Sequence, residues 1–173
     1  MKGVFAAALL IVALTACPAV ETIANDGTRV GNRAIDFTLV DQNGNTVSLH
    51  DYEGKVILLD ISTMWCPPCQ DEARVAEALY QKYKDRDFVI INILISNYDR
   101  GPIAQSDTGV WANDYHLTFP ILADLQRAVW GQYNEEGYIP LNLVIDRDLT
   151  IRYKEVGYNE GAIEAAIASL LED

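Results

Sequence analysis

The fold turns on Val56-Ile57-Leu58-Leu59-Asp60-Ile61-Ser62-Thr63-Met64-Trp65-Cys66-Pro67-Pro68-Cys69. The run from Lys55 to Ile61 is continuous and rich in β-formers, as expected of a strand covered on both faces. Two prolines then open a segment in which Ala73, Ala76, Leu79, Tyr80 and Tyr83 recur at helical spacing, with charges between them. Proline suits the first turn of a helix because its missing N–H would have no partner there. The two cysteines therefore straddle a strand-to-helix junction. At that place a common spacing becomes a redox motif.

A helix starting after Cys66 offers that sulfur free N–H groups and the positive end of its dipole, both of which favour a thiolate. Cys66 is thus expected to be the exposed, attacking thiol. Cys69, one turn further in, is the resolving cysteine. Pro67 and Pro68 stiffen the turn and, with Trp65, frame the contact surface beside the nucleophile. A zinc site is the alternative for two cysteines, but it wants four ligands. There is no second cysteine pair here, and His50 and His116 stand apart. No metal or other cofactor is expected, only the Cys66–Cys69 dithiol or disulfide.

Working outward, the chain has 173 residues, half of them hydrophobic, which is enough for one domain with its own core. A formal charge of -12 excludes phosphate-neutralising contacts, and so nucleic acid as a partner. Lys2 and the apolar run Val4 to Leu14 have the form of a signal peptide, too short for a permanent span. Leu14-Thr15-Ala16-Cys17 follows directly and resembles a bacterial lipobox, which implies cleavage before Cys17 and a lipid on its sulfur. An ordinary secretory signal is the alternative. Loss of residues 1–16 leaves 12 Lys+Arg against 25 Asp+Glu, a charge of -13. With Cys17 lipidated, Cys66 and Cys69 are the remaining cysteines, and the short bridge is the one available.

The expected domain layout is a signal peptide over 1–16, a polar tether over 17–34 and a folded domain over 35–173. Within the domain, Ile35 to Leu49 reads as a hairpin around Asn43-Gly44. Phe88 to Ile95 reads as a second buried strand, Pro102 to His116 as a loop and short helix, and Thr118 to Leu122 as an extended piece. Asp124 to Tyr133 reads as a helix capped by Asp124. Two strands follow, Leu141 to Asp146 and Thr150 to Val156. A last helix capped by Asn159 carries an apolar face of Ile163, Ala166, Ile167, Leu170 and Leu171. This order predicts an α/β fold: a central mixed sheet flanked by helices, an N-terminal hairpin and a helical insertion between central strands.

Trp-Cys-Pro-Pro-Cys after an apolar strand resembles the thioredoxin superfamily. The hairpin, the lipobox, Leu117-Thr118-Phe119-Pro120-Ile121-Leu122 and Val144-Ile145-Asp146-Arg147-Asp148 resemble its membrane-anchored TlpA/ResA-like branch. That resemblance covers about Val30 to the C-terminus. It implies a thioredoxin-like fold with Cys66 as nucleophile and Cys69 as resolving cysteine. It also implies a cis Ile139–Pro140 loop packed against the disulfide, with the Ile139 backbone free to pair with an extended client. It implies protein disulfides as substrates, with apocytochrome c as a client class. A membrane thiol-disulfide donor would supply electrons, and the protein would sit lipid-anchored on the periplasmic or cell-surface side of a bacterial membrane.

Two carboxyls are candidates for proton transfer to Cys69. Asp60 interrupts an apolar strand, at an offset where thioredoxins resemble it. Glu72 stands three residues after Cys69, where the tethered branch carries a glutamate; a solvated helix residue is its alternative. A carboxyl in an apolar site has a raised pKa and can pass a proton. Asn142, after the proline, departs from the small residues usual in the family. Two other functions fit less of the pattern. Thr63-x-x-Cys66 matches part of a peroxiredoxin site, but Leu59 stands where its proline belongs. A copper chaperone of the Sco type would need a three-residue gap between the cysteines.

Overall fold

The computed structural model describes residues 25–172. The expected signal peptide and the lipidated Cys17 lie outside the described residues. The element order is β1 (Asp26–Gly27), β2 (Arg33–Ala34), β3 (Thr38–Val40), β4 (Thr46–Ser48), β5 (Val56–Ser62), α1 (Pro67–Tyr83), β6 (Phe88–Leu94), α2 (Gln105–Tyr115), β7 (Ile121–Ala123), α3 (Ala128–Tyr133), β8 (Leu141–Ile145), β9 (Ile151–Val156) and α4 (Glu160–Glu172). Among the described residues no helix is long and apolar enough to cross a membrane.

The main sheet has the order β7-β6-β5-β8-β9. β5 runs parallel to β6, and β6 to β7, while β8 and β9 are antiparallel additions. β5 and β6 are buried along their whole length, which explains their unbroken apolar sequences. Their alternation still sorts side chains between two cores. Val56 and Leu58 join Ala73 and Ala76 of α1, Trp111 of α2 and Ile163 and Ile167 of α4 on one face. Ile57, Leu59 and Ile61 join Phe37 and Val47 of the hairpin and Val129 and Tyr133 of α3 on the other. Asp60 and Ser62 therefore belong to the α1 side by period.

Trp111 is the largest side chain fully buried on that side, packed 4.4 Å from Tyr115 between ring centroids. Trp111→Ala is expected to cost about 3–5 kcal/mol, because a large cavity would open in a closed core. A lowered urea midpoint with unchanged slope is the check.

Three expectations need correction in detail. The segment assigned to the tether is part of the fold over its last residues. Gly31 N–H donates to the Ile151 carbonyl (2.8 Å), Ala34 N–H to the Leu149 carbonyl (2.8 Å), and Thr28 is buried. These short polar residues lack periodicity because they pair as an edge rather than forming a core face. α3 begins at Ala128, not Asp124, because Arg127 takes a left-handed conformation (φ 54°). Asp124 still accepts from the Ala128 and Trp130 N–H groups, at 2.9 and 2.8 Å. The extended piece after Thr118 pairs only over Ile121–Ala123.

The hairpin turn also reaches the sheet. Gln42 donates to the Phe119 carbonyl (2.9 Å) and accepts from the Ile121 N–H (2.8 Å), while Asp41 bridges to Leu122. Asn159 caps α4, accepting from the Ala162 N–H at 3.3 Å.

Candidate active site

Cys66 is the N-cap of α1, with extended backbone (φ -81°, ψ 120°), and Pro67 and Pro68 fill the next two positions. Both prolines are exposed. Their presence changes one sequence expectation. With no N–H at either position, and the Gln70 N–H bonded to the Cys66 carbonyl (3.0 Å), few free donors remain near the Cys66 sulfur. The influence of α1 on that sulfur is chiefly its dipole. Gln70 also donates its side-chain amide to the Met64 carbonyl (2.7 Å), tying the helix start to the preceding loop.

Both cysteines are free thiols, and Cys66 lies near enough to Cys69 to raise its pKa. Cys69 is 1% exposed and Cys66 4%. The expected open nucleophile is thus covered in this state, although Cys69 is the deeper of the two. Trp65 is half-buried, and the Arg100 guanidinium stacks 4.5 Å from its ring centroid. That layer stands directly beside the residue that must be reached.

The Ile139–Pro140 peptide bond is cis. Pro140 is buried and leads straight into β8, where Leu141 pairs with Ile61. The register therefore carries the proline to the end of β5 from which the Cys66 loop departs. Ile139 is partly buried, and among the described residues neither its N–H nor its carbonyl makes a hydrogen bond.

Beneath the cysteines lies a polar layer formed by strand register. Asp60 stands opposite Asn92 of β6 on one side and Asn142 of β8 on the other. Asn92 donates to Asp60 Oδ2 (2.7 Å) and to Ser62 Oγ (2.8 Å). Asn142 donates to Glu72 Oε2 (3.1 Å) and to the Gly157 carbonyl (3.2 Å). Glu72 is 4% exposed, so the solvated alternative for it falls. Asp60, Glu72 and Asn92 also share the wall of a cavity of about 10 Å³, which brings both carboxyls to one space. Sequence reasoning missed Asn92. The signal was a polar residue interrupting Phe88 to Ile95, the same signal that exposed Asp60.

Burial raises the Asp60 carboxyl from its usual value near 3.8 to about 7, against the lowering effect of Ser62 and Asn92. Burial also pushes Glu72 well above the usual range, with the charge of Asp60 adding to it and Asn142 opposing. Cys69 is driven up by burial, then by Asp60, then by its bond to Cys66. Acceptors are in excess here: Asp60 Oδ1, Asn92 Oδ1 and Asn142 Oδ1 are buried without a donor among the described residues. Such a layer favours carboxyls that keep their protons. Glu72 further lines a groove of about 250 Å³ between α1 and α4, beside Leu79, Tyr158 and Ile163. This gives one of the two carboxyls a path towards solvent. Among the described residues no cluster of three or more His, Cys, Asp or Glu side chains converges as a metal site.

Residues 30–154 match the model of the AhpC/TSA family, which is well over half of the chain. The chain belongs to the AhpC/TSA family of thioredoxin-like proteins. This AhpC/TSA protein is 31% identical to the thioredoxin-like protein YneN of Bacillus subtilis, over 76% of its own length and 74% of that protein. It is 31% identical to the thiol-disulfide oxidoreductase ResA of Bacillus thuringiensis over 69% of its own length, but spans just under two thirds (65%) of that relative. Among solved structures, a putative protein disulfide isomerase from Bacteroides thetaiotaomicron superposes with a TM-score of 0.73 at 26% identity, over 84% of this chain and 92% of that one.

Proposed function

We propose that this protein is an extracytoplasmic thiol-disulfide oxidoreductase that reduces disulfides in client proteins. One observation carries the reading. A dithiol at the start of a helix rests on a layer of two buried, high-pKa carboxyls, beside a cis-proline loop with unpaired backbone. In the first step the Cys66 sulfur attacks a client disulfide. The client S–S bond breaks, a mixed disulfide forms, and one client sulfur leaves as a thiol. In the second step Cys69 gives up its proton and attacks Cys66 Sγ. The mixed disulfide breaks, the Cys66–Cys69 bond forms, and the second client sulfur takes up a proton. The client gains two electrons and the pair loses two. Asp60, which ionises near neutral pH, is placed to accept the Cys69 proton, and Glu72, with its path to the α1–α4 groove, to relay a proton to and from solvent.

The direction is set by the reduction potential of the pair, and the state of Cys69 is compatible with reduction. Strong oxidants of this chemistry draw their potential from a stabilised reduced form. Here burial holds Cys69 as a neutral thiol and gives the reduced state no thiolate stabilisation at that sulfur. The Ile139 backbone would bind the client segment by strand addition. Lipid on Cys17 would hold the domain at a bacterial membrane, where a membrane thiol-disulfide donor returns the electrons. Apocytochromes c are the client class to which the family resemblance points. The test is insulin reduction coupled to a chemical donor, together with titration of the pair against glutathione. Turnover and a potential below about -200 mV are expected. A pair that oxidises reduced clients and does not turn over on insulin would refute the reducing direction.

One observation favours a second reading, peroxide reduction at Cys66. The Thr63 hydroxyl, in the Thr63-x-x-Cys66 spacing, is buried and has no partner among the described residues. Hydrogen peroxide consumption with a sulfenate at Cys66 is its test.

A further inference from the structure

The loop after β6 is built more firmly than a connection requires. Asn97 Oδ1 accepts from the N–H groups of Asp99 (3.1 Å) and Gly101 (2.9 Å). Ser96 Oγ donates to the Gly101 carbonyl (2.8 Å), and the Ser96 carbonyl accepts from Met64 N–H (3.1 Å). The last bond fastens this loop to the one that carries Trp65 and Cys66. At its tip Arg100 sits in the left-handed region (φ 62°), which few residues outside glycine and asparagine occupy without cost.

That backbone sets an exposed guanidinium over the Trp65 ring, 4.5 Å from its centroid and one residue from the nucleophile. A cation–π contact consumes none of the guanidinium N–H donors, which stay available to a carboxylate. Among the described residues Arg100 has no carboxylate partner. Asp99, the preceding residue, forms no salt bridge with it, and Asp114 is held by the Tyr98 hydroxyl at 2.7 Å. A chain with net charge -12 thus holds an unpaired cation, oriented by stacking, at the rim of its site.

We infer that Arg100 is a specificity-determining residue: it selects client disulfides that carry an aspartate or glutamate beside the reacting cysteine. This rests on the oxidoreductase reading and adds the substrate class. The fork suits a carboxylate in bidentate geometry, and Trp65 beneath it fixes where that carboxylate must lie relative to Cys66.

The experiment compares three short peptides bridged by a disulfide, with Glu, Gln or Lys next to one cysteine. kcat/KM for their reduction is measured with wild type, Arg100→Lys and Arg100→Asn. Asparagine tolerates a positive φ, so the loop keeps its shape. Wild type should prefer the Glu peptide over the Gln peptide about 3- to 5-fold, in the range of an exposed ion pair, with the Lys peptide last. Salt at about 0.5 M should shrink that ratio. Arg100→Asn should treat the three alike, and Arg100→Lys should keep part of the preference. A wild-type enzyme with no preference, or an Arg100→Asn variant that slows all three equally, would overturn the assignment of Arg100 alone. A wild type that reduces none of the peptides would overturn the oxidoreductase reading and this inference with it.

Discussion

Cys66→Ser should reduce disulfide turnover to background, a loss on the order of 10³-fold or more, as for other removed nucleophiles. Cys69→Ser should instead accumulate a covalent complex with client proteins, stable without reductant and released by dithiothreitol. The difference follows from the geometry of α1. Cys66 is the cap residue at the helix start, whereas Cys69 lies within the first turn at 1% exposure. A client sulfur can be attacked only by the outer atom, and the resulting bond can be broken from within only by the inner one. Removing Cys69 stops the sequence after its first half. Mass spectrometry of the trapped species should place the client on Cys66. Trapping through Cys69 in the Cys66→Ser variant would reverse the roles. Because Cys66 is only 4% exposed, its surroundings, the adjacent Trp65 among them, are expected to shift when a client docks. Trp65 fluorescence should report that movement.

Asp60→Asn should make the protein more stable and less active. A buried acid raised from 3.8 to about 7 binds its proton more tightly folded than unfolded. Its contribution is complete below about pH 4. It declines as pH rises, since the unfolded carboxyl ionises while the folded one does not, and the decline ends once pH passes 7. At about 1.4 kcal/mol per pH unit, Asp60 alone removes about 4 kcal/mol across that window. Glu72 acts with the same sign. Asparagine has nearly the same shape and no proton to lose. The variant should therefore gain up to about 4 kcal/mol at pH 8, and its stability should fall less between pH 4 and 7. Chemical denaturation at a series of pH values measures both. Resolution of the mixed disulfide should slow about 10²-fold near pH 7, the usual contribution of a positioned proton acceptor. A variant with unchanged resolution and an unchanged pH profile would assign proton transfer to Glu72 alone.

The architecture was legible because its central elements announce themselves. Val56 to Ile61 and Phe88 to Ile95 read as buried strands, and Ala73 to Tyr83 as a helix. The cysteine pair falls at the joint. A single polar residue inside such a run is the mark of a site layer, which worked for Asp60 and would have worked for Asn92. Asn142 remained without a role in sequence because its partner is Glu72, 70 residues away, and only the β5–β8 register brings them together. Burial of Glu72 was unreadable for the same reason, since its helix face is covered by residues from distant elements. The contact of Arg100 with Trp65 was unreadable because the positive φ of the loop that places it leaves no trace in hydrophobic pattern. The Asp26–Ala34 segment escaped notice because it gains its order from pairing with β9, not from periodicity of its own.

Both borders of the main sheet carry covers. Gln42 and Asp41 occupy the hydrogen-bonding positions along β7, residues 31–32 close the start of β9, and Arg152, Lys154 and Glu155 charge the remainder. Uncovered borders invite copies of a protein to join edge to edge and aggregate. In this fold the unpaired backbone at Ile139 lies apart from those borders, where Pro140 leads into β8. A molecule arranged in this way gives its own copies little to polymerise upon at its sheet borders.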